Sequence, residues 1–320
     1  MVALGGHAIV PPGAAGTADE QLATIRRAMV EVAGLIAEGT DVVVTHGNGP
    51  QVGNLLTKNV LARHVVPAMP LHWCVAQTQA TIGLAMLTAL EAELAAPGID
   101  RPVVPVLSRV LVRADDPAWR DPTKPVGRRL SAAEAAAAMA DDPTQVWRES
   151  LDAGRPGWQR VVPSPDPVRS LEVRTIRLLL DAGAVVIANG GGGVAMVDDG
   201  LGPLVGADAV VDKDLAAALL AVELGADRLV ILTDVDGVAV DHGGPHERWL
   251  ATAGTAELRS LAARGMFGAG SMGPKVEAAL RFVEATGHPA IIGPLDRAAD
   301  ALHGRCGTQV TATAPVGGRR

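Results

Sequence analysis

Short apolar runs recur along the chain, each closed by a Gly-rich turn and followed by a stretch whose apolar positions repeat at helical spacing. Residues 2–4 lead into Gly5-Gly6 and a helix predicted over 19–37; residues 42–45 lead into His46-Gly47-Asn48-Gly49 and a helix over 52–61. Residues 184–188 run into Asn189-Gly190-Gly191-Gly192-Gly193, 229–232 into Thr233-Asp234-Val235-Asp236-Gly237, and 290–292 into Gly293-Pro294. A longer β-rich run, 103–112, contains Pro105, which cannot donate to a ladder, so one strand with an irregular start is expected there. Apolar strands alternating with helices are the pattern of parallel βα units buried on both faces. The expected fold is α/β: a three-layer αβα sandwich whose mostly parallel sheet is built on these six strands. Since a central strand usually runs about five or six residues, the short start before Gly5 is expected to extend upstream.

Residues 115–167 break the rhythm. They are rich in proline, carry three of the five tryptophans, and hold one Ala-rich helix over 132–140. A structureless loop of that length is improbable inside a compact domain. The segment is therefore expected to be a small inserted, protruding, lid-like subdomain within a single domain spanning 1–320. The last residues, 317–320, are expected to fray.

Composition narrows the function classes. With 48% hydrophobic and 20% charged residues, the chain reads as globular, and 37 Gly and 22 Pro supply many tight turns. A formal net charge of −7 without any basic block argues against a nucleic-acid or anionic-membrane partner. Cys74 and Cys306 are far apart and without metal spacing, giving no support to a disulfide framework or a zinc site. No apolar run reaches the roughly 18 residues of a membrane span, and the start lacks a signal-like pattern, so a cytoplasmic protein is expected. Of 28 basic residues only Lys58, Lys124, Lys213 and Lys275 are lysine. In a chain that otherwise writes positive charge as arginine, such lysines mark places where a compact ammonium is needed.

Ligand sites of parallel sheets lie beyond the carboxyl ends of the strands, which is where the Gly-rich turns converge. A Gly-rich turn feeding a helix offers backbone N–H groups and the positive end of the helix dipole to phosphate. The chain has neither the P-loop nor the protein-kinase signatures, and Gly5-Gly6-His7-Ala8 is not the Rossmann fingerprint. Asp212-Lys213-Asp214 offers another scheme, a lysine held by flanking carboxylate while its ammonium faces a transferring phosphoryl group. Ser271-Met272-Gly273-Pro274-Lys275 puts a second lysine at the mouth of a helix over 276–284. Pro122-Thr123-Lys124-Pro125 brackets a third between prolines, as a rigid arm from the insert over the cleft.

These segments resemble the amino acid kinase family, and within it the carbamate kinase branch, over nearly the whole chain. The carrying segments are V-A-L-G-G-H-A-I (2–9), T-H-G-N-G-P-Q-V-G-N-L (45–55), A-M-P-L (68–71), P-T-K-P-V-G (122–127) and G-W-Q-R-V-V-P-S-P (157–165). The remainder are A-N-G-G-G-G (188–193), V-D-K-D-L-A (211–216), I-L-T-D-V-D-G-V (231–238) and G-S-M-G-P-K-V-E-A-A (270–279). The resemblance implies reversible phosphoryl transfer between ATP plus carbamate and ADP plus carbamoyl phosphate, with Mg²⁺ between the nucleotide phosphates and no metal held by protein side chains. It implies that Lys213, positioned by Asp214, stabilises the transferring group and that Lys124 reaches onto the acceptor side. Gly5, Gly6, His7, Gly47, Asn48 and Gly49 would bind the phosphoryl group and acceptor. Lys275, Thr233, Asp234, Met272, Gly191 and Gly192 would bind the nucleotide. A homodimer working in the ATP-forming direction, in the breakdown of arginine or related nitrogen compounds, is implied as well.

Two positions depart from the family pattern: His7 stands where Asn is usual, and His72 where Asp usually follows A-M-P-L. They keep open a related enzyme acting on a different small acid. A catalytically silent sensor of nucleotide or carbamoyl phosphate is the reading from another class, and the presence of Lys124, Lys213, Asp214 and Lys275 counts against it.

Overall fold

The computed structural model describes residues 1–10, 14–152, 155–268 and 272–313, with the side chains of residues 7, 150–152 and 155 outside that description. The expected tail, 317–320, therefore lies outside the described residues, as does Ser271.

An eight-stranded sheet forms the middle layer. From edge to edge its strands are Thr252–Gly254, Thr308–Thr311, Ala290–Pro294, Leu229–Thr233, Val2–Leu4, Val43–His46, Val185–Ile187 and Val103–Pro105. Every neighbouring pair is parallel except Ala290–Pro294 with Thr308–Thr311. Alternate residues of each strand enter opposite cores, as a period of two requires. Val2, Leu4, Val44, Val230 and Leu232 pack toward the helices Ala18–Ala37 and Leu71–Ala95. Ala3, Leu229 and Ile231 pack toward Lys213–Leu224 and Met272–Thr286. The three-layer, mostly parallel architecture expected from the pattern is thus present.

Two strands, Thr252–Gly254 and Thr308–Thr311, go beyond the six expected, and one expectation is corrected. The run 103–112 is two strands in two sheets: Val103–Pro105 in the central sheet, and Arg109–Val112 in a four-stranded sheet with Val205–Gly206, Val194–Val197 and Pro167–Ser170. The break falls at Ser108, whose side chain takes up local partners in place of ladder geometry. Its hydroxyl bonds the Val106 carbonyl and the Asn189 N–H, both at 2.9 Å, while buried Gln79 receives the Ser108 N–H at 2.8 Å.

Within 115–167, the strands Lys124–Leu130, Arg155–Val162 and Val146–Asp152 form an antiparallel sheet of their own, with the helix Ala132–Asp141 between the first and last in sequence. That helix starts in a capping box in which Ser131 and Glu134 satisfy each other's backbone N–H groups. This sheet meets the main body where Gly53 of the helix Gly49–Ala62 faces Gly127: a Cβ on Gly53 would stand 3.2 Å from the Gly127 Cα.

Gly192 illustrates how tightly the turns are locked. Its φ is +91°, and a Cβ there would fall on the Val211 carbonyl oxygen. Gly98, with φ of +74° and open space around it, isolates the backbone component alone. Gly98→Ala is expected to cost about 1 kcal/mol of unfolding free energy in urea titration. Gly192→Ala is expected to cost about 3–5 kcal/mol, because strain and overpacking combine. Equal losses at the two positions would contradict this account.

Candidate active site

All the turns predicted to carry chemistry leave the carboxyl ends of the central strands. Gly5 extends the ladder by donating to the Leu232 carbonyl at 2.9 Å, and Gly47 does the same toward Leu4 at 3.2 Å. The two turns touch through backbone, a Cβ on Gly47 standing 3.2 Å from the Gly6 Cα, so a side chain at Gly47 would crowd the first turn. Beside them opens a cavity of about 950 Å³ lined by Gly5, Gly6, Thr233, Asp234 and Lys275 among the predicted residues. Arg27, Glu31 and Asp296 also line it, from elements to which sequence reasoning assigned no role. The Thr233 hydroxyl donates to Asp234 at 3.0 Å, fixing that carboxylate at the rim.

The lysines meet at the start of the helix Lys213–Leu224. Asp214, buried at 4% exposure, binds Lys213 through one carboxylate oxygen and Lys275 Nζ through the other, the latter at 3.2 Å. Burial opposes ionisation of Asp214, yet the two ammonium groups hold it below the ordinary carboxylate range. Burial also presses Lys213 downward, Asp214 resists that, and Lys275 adds repulsion. One carboxylate between two ammonium groups leaves an excess of positive charge in a water-poor setting, which an incoming phosphate neutralises.

Asp212 organises the same helix from one residue earlier. One of its oxygens caps the helix, accepting the N–H groups of Asp214 at 2.9 Å and Leu215 at 3.2 Å. The other accepts Lys124 Nζ at 2.7 Å, which brings the insert's lysine to the other two although it lies 88 residues away in sequence. Asp212 was legible only as a flanking acid. The signal that specifies more is an Asp directly before a helix.

Other predicted residues support this constellation from beneath. Buried Asn48 donates to Thr78 Oγ1 at 2.8 Å. Gly49 opens the helix Gly49–Ala62 without a side-chain cap. Gly191 and Gly192, expected at the nucleotide, are buried against Asn48 and the Val211 carbonyl instead of lining the cavity. Met272 begins the helix that carries Lys275 and packs on its apolar side. His7 lies in a short 3₁₀ turn, Gly6–Ala8, and its side chain is outside the described residues. His72 pairs with Asp208 at 3.0 Å, on the segment leading to Asp212. Among the described residues no group of three or more His, Cys, Asp or Glu side chains is placed to hold a metal ion, and no helix is long and apolar enough to cross a membrane.

Known proteins match the chain over most of its length. The model of the amino acid kinase family matches residues 1–294. A carbamate kinase from Pyrococcus horikoshii is 45% identical over 313 residues, covering 97% of this chain and 98% of that protein. One from Halobacterium salinarum is 42% identical over 311 residues, covering 97% of each. The solved structure of a carbamate kinase from Giardia lamblia bound to AMP-PNP superposes with a TM-score of 0.89 at 42% identity, covering 97% of both chains.

His46, which ends the strand Val43–His46, is buried and feels the charge of Lys213. Burial lowers its imidazole to about 4, with Lys213 repelling the charged form and the Gly47 carbonyl favouring it. Between pH 6.5, its ordinary value, and about 4 the unfolded chain binds a proton there that the folded chain refuses. Stability therefore rises with pH across that window, and acidification through it withdraws up to about 3 kcal/mol. Unfolding free energies measured from pH 7 to pH 4 should show this slope, and His46→Gln should flatten it by about one proton. Parallel profiles for the two proteins would remove His46 as the cause.

Proposed function

Because this chain belongs to the amino acid kinase family, we propose that it works as its carbamate kinase relatives are named to work, moving a phosphoryl group reversibly between ATP plus carbamate and ADP plus carbamoyl phosphate. The observation that carries this reading is the convergence of Lys124, Lys213 and Lys275 on Asp212 and Asp214 beside a cavity of nucleotide size.

The chemistry follows from charge. The phosphoryl group passes between two oxygens, one on the β-phosphate of ADP and one on carbamate. An ionised acceptor has no proton to surrender, so positioning and neutralisation are what the protein must supply. Lys213, fixed by Asp214, faces the group in transit. Lys275, fixed by the same carboxylate, takes the nucleotide phosphates, with Thr233 and Asp234 at the nucleotide side. Gly5, Gly6, Gly47, Asn48 and Gly49 approach the phosphoryl group and acceptor through backbone, with His7 beside them. Magnesium would arrive on the nucleotide phosphates and add neutralising charge between them.

The insert over 115–167 is proposed as a lid. Lys124 and Asp212 are one third and about one eighth exposed, so their ion pair contributes on the order of 1 kcal/mol and opens readily. Closing it completes the site and excludes water. The proposal extends to a cytoplasmic homodimer running in the ATP-forming direction during breakdown of arginine or related nitrogen compounds.

Supplied with ADP and carbamoyl phosphate, the protein should form ATP; no ATP formation by folded protein would refute the assignment. Lys213→Ala should lower kcat by about 10²–10³ with ADP affinity nearly unchanged, as expected for a donor acting on the transition state. Lys213→Arg should fail similarly, since a planar guanidinium does not fit a pocket made for an ammonium. Turnover within threefold of the parent in Lys213→Ala would take Lys213 out of the mechanism.

For the lid, Lys124→Ala is expected to raise KM for carbamoyl phosphate at least tenfold while calorimetric ADP binding stays within about twofold. Equal damage to ADP binding would put Lys124 in the nucleotide half instead.

A further inference from the structure

His72, one of the two positions that depart from the family pattern, stands in the first turn of the helix Leu71–Ala95. That helix begins after Pro70, which offers no side-chain cap, so its first N–H groups need acceptors from elsewhere. Asp208, 136 residues away, supplies one. Its Oδ1 accepts the His72 backbone N–H at 3.4 Å and lies 3.0 Å from the ring nitrogen Nδ1. An ionised carboxylate can only accept, so Nδ1 carries the N–H of that second bond. The ring also lies directly over Gly206: a Cβ there would stand 2.4 Å from His72 Cδ2 and 2.7 Å from Nε2.

Gly206 and Asp208 lie on the approach to Asp212. Residues 207–212 belong to no helix and no strand, so no ladder fixes them. A few separate bonds do so instead. The Ala207 N–H donates to the Ala195 carbonyl at 2.9 Å, the Val210 N–H donates to the Pro163 carbonyl of the insert at 3.0 Å, and Asp208 binds His72. Ala209 and Val211 are buried, which leaves the segment little room to shift independently of Asp212. Asp212 in turn accepts Lys124. The insert feels the same carboxylate: burial lowers the Arg160 pKa, and the charge of Asp208 opposes that.

We propose that His72 is a positioning residue for the lysine cluster: clamped on Asp208 and resting on Gly206, it fixes the segment that delivers Asp212, the carboxylate on which Lys124 docks. An imidazole suits the task because its flat ring covers a glycine while its edge reaches a carboxylate. Without the Nδ1 donor, Asp208 keeps only the His72 backbone N–H, and the stretch between Ala207 and Val210 loses its middle anchor.

Hydrogen exchange of backbone amides in the full chain reads this clamp with no substrate present, so its outcome is separate from that of the proposed reaction. His72→Phe keeps a ring and removes the donor. Protection of the Ala209 and Val210 amides is expected to fall at least tenfold, while amides of the central strand Leu229–Thr233 keep theirs within twofold. His72→Asn, whose side-chain N–H reaches the same oxygen, should restore protection to within threefold. Gly206→Ala removes no donor but displaces the ring, and should reproduce the loss; it decides the matter on the same amides if His72→Phe also loosens the central strand. Unchanged protection at Ala209 and Val210 in Gly206→Ala or His72→Phe, or equal loss in His72→Asn, would overturn the proposal. A second readout rests on the proposed reaction. His72→Phe should raise KM for carbamoyl phosphate at least threefold with kcat and calorimetric ADP affinity within threefold, and this penalty should vanish when Lys124→Ala is already present. Additive effects of the two substitutions would leave His72 a merely structural residue.

Discussion

One buried carboxylate shared by two ammonium groups is the interaction on which this site depends. Asp214 is nearly inaccessible, and both of its oxygens are occupied by lysines, one adjacent to it in sequence and the other 61 residues away. Taking three charges out of water is unfavourable unless each is held by hydrogen bonds in good geometry. The fold meets that condition by starting two helices, Lys213–Leu224 and Met272–Thr286, against each other at the carboxyl edge of the sheet. Removing either lysine changes the electrostatics of the other through the carboxylate they share. Their contributions to any phosphate held there are consequently coupled and not additive.

Close packing of backbone on backbone supports that arrangement. The turns after Val2–Leu4, Val43–His46 and Val185–Ile187 press on one another and on the segment just before Asp212, at distances that admit no Cβ. Glycine is required at Gly192 both by its positive φ and by the Val211 carbonyl over it. The result is that the residue before Asp212 is fixed by a neighbouring turn, so the helix cap and the lysine that follows it inherit their position from the sheet. Preorganisation of this kind is what allows charge stabilisation without rearrangement at the moment of reaction.

Much of this was legible in the sequence because it depends on local pattern. Five apolar runs with Gly-rich exits each mark a strand of the central sheet, and three scarce lysines within motifs pointed to the chemistry. What was not legible depends on contacts between distant segments. The split of 103–112 follows from buried Gln79 meeting Ser108, and no window on either side reveals it. The packing of Gly191 and Gly192 follows from Asn48 and Val211 arriving from other elements, contacts that the turn's own sequence does not specify. The edge strand Thr252–Gly254 and its neighbour Thr308–Thr311 are too short for a periodic signal, and they form because each pairs with a neighbour already in place.

The insert ties these levels together through Asp212. That single side chain caps the helix bearing Lys213 and receives Lys124, so the geometry of the body and the docking of the insert are read by the same carboxylate. Loss of the Lys124 contact leaves the two backbone N–H groups still satisfied, which means that the insert can lift without unravelling the helix start. The strand that delivers Lys124 runs on to Val126 and Leu130, which face the helix Gly49–Ala62 across a cavity, and its Gly127 rests against Gly53. A strand held at one end by an ion pair of modest strength and along its length by the helix Gly49–Ala62 has two separate places at which its docking can be biased.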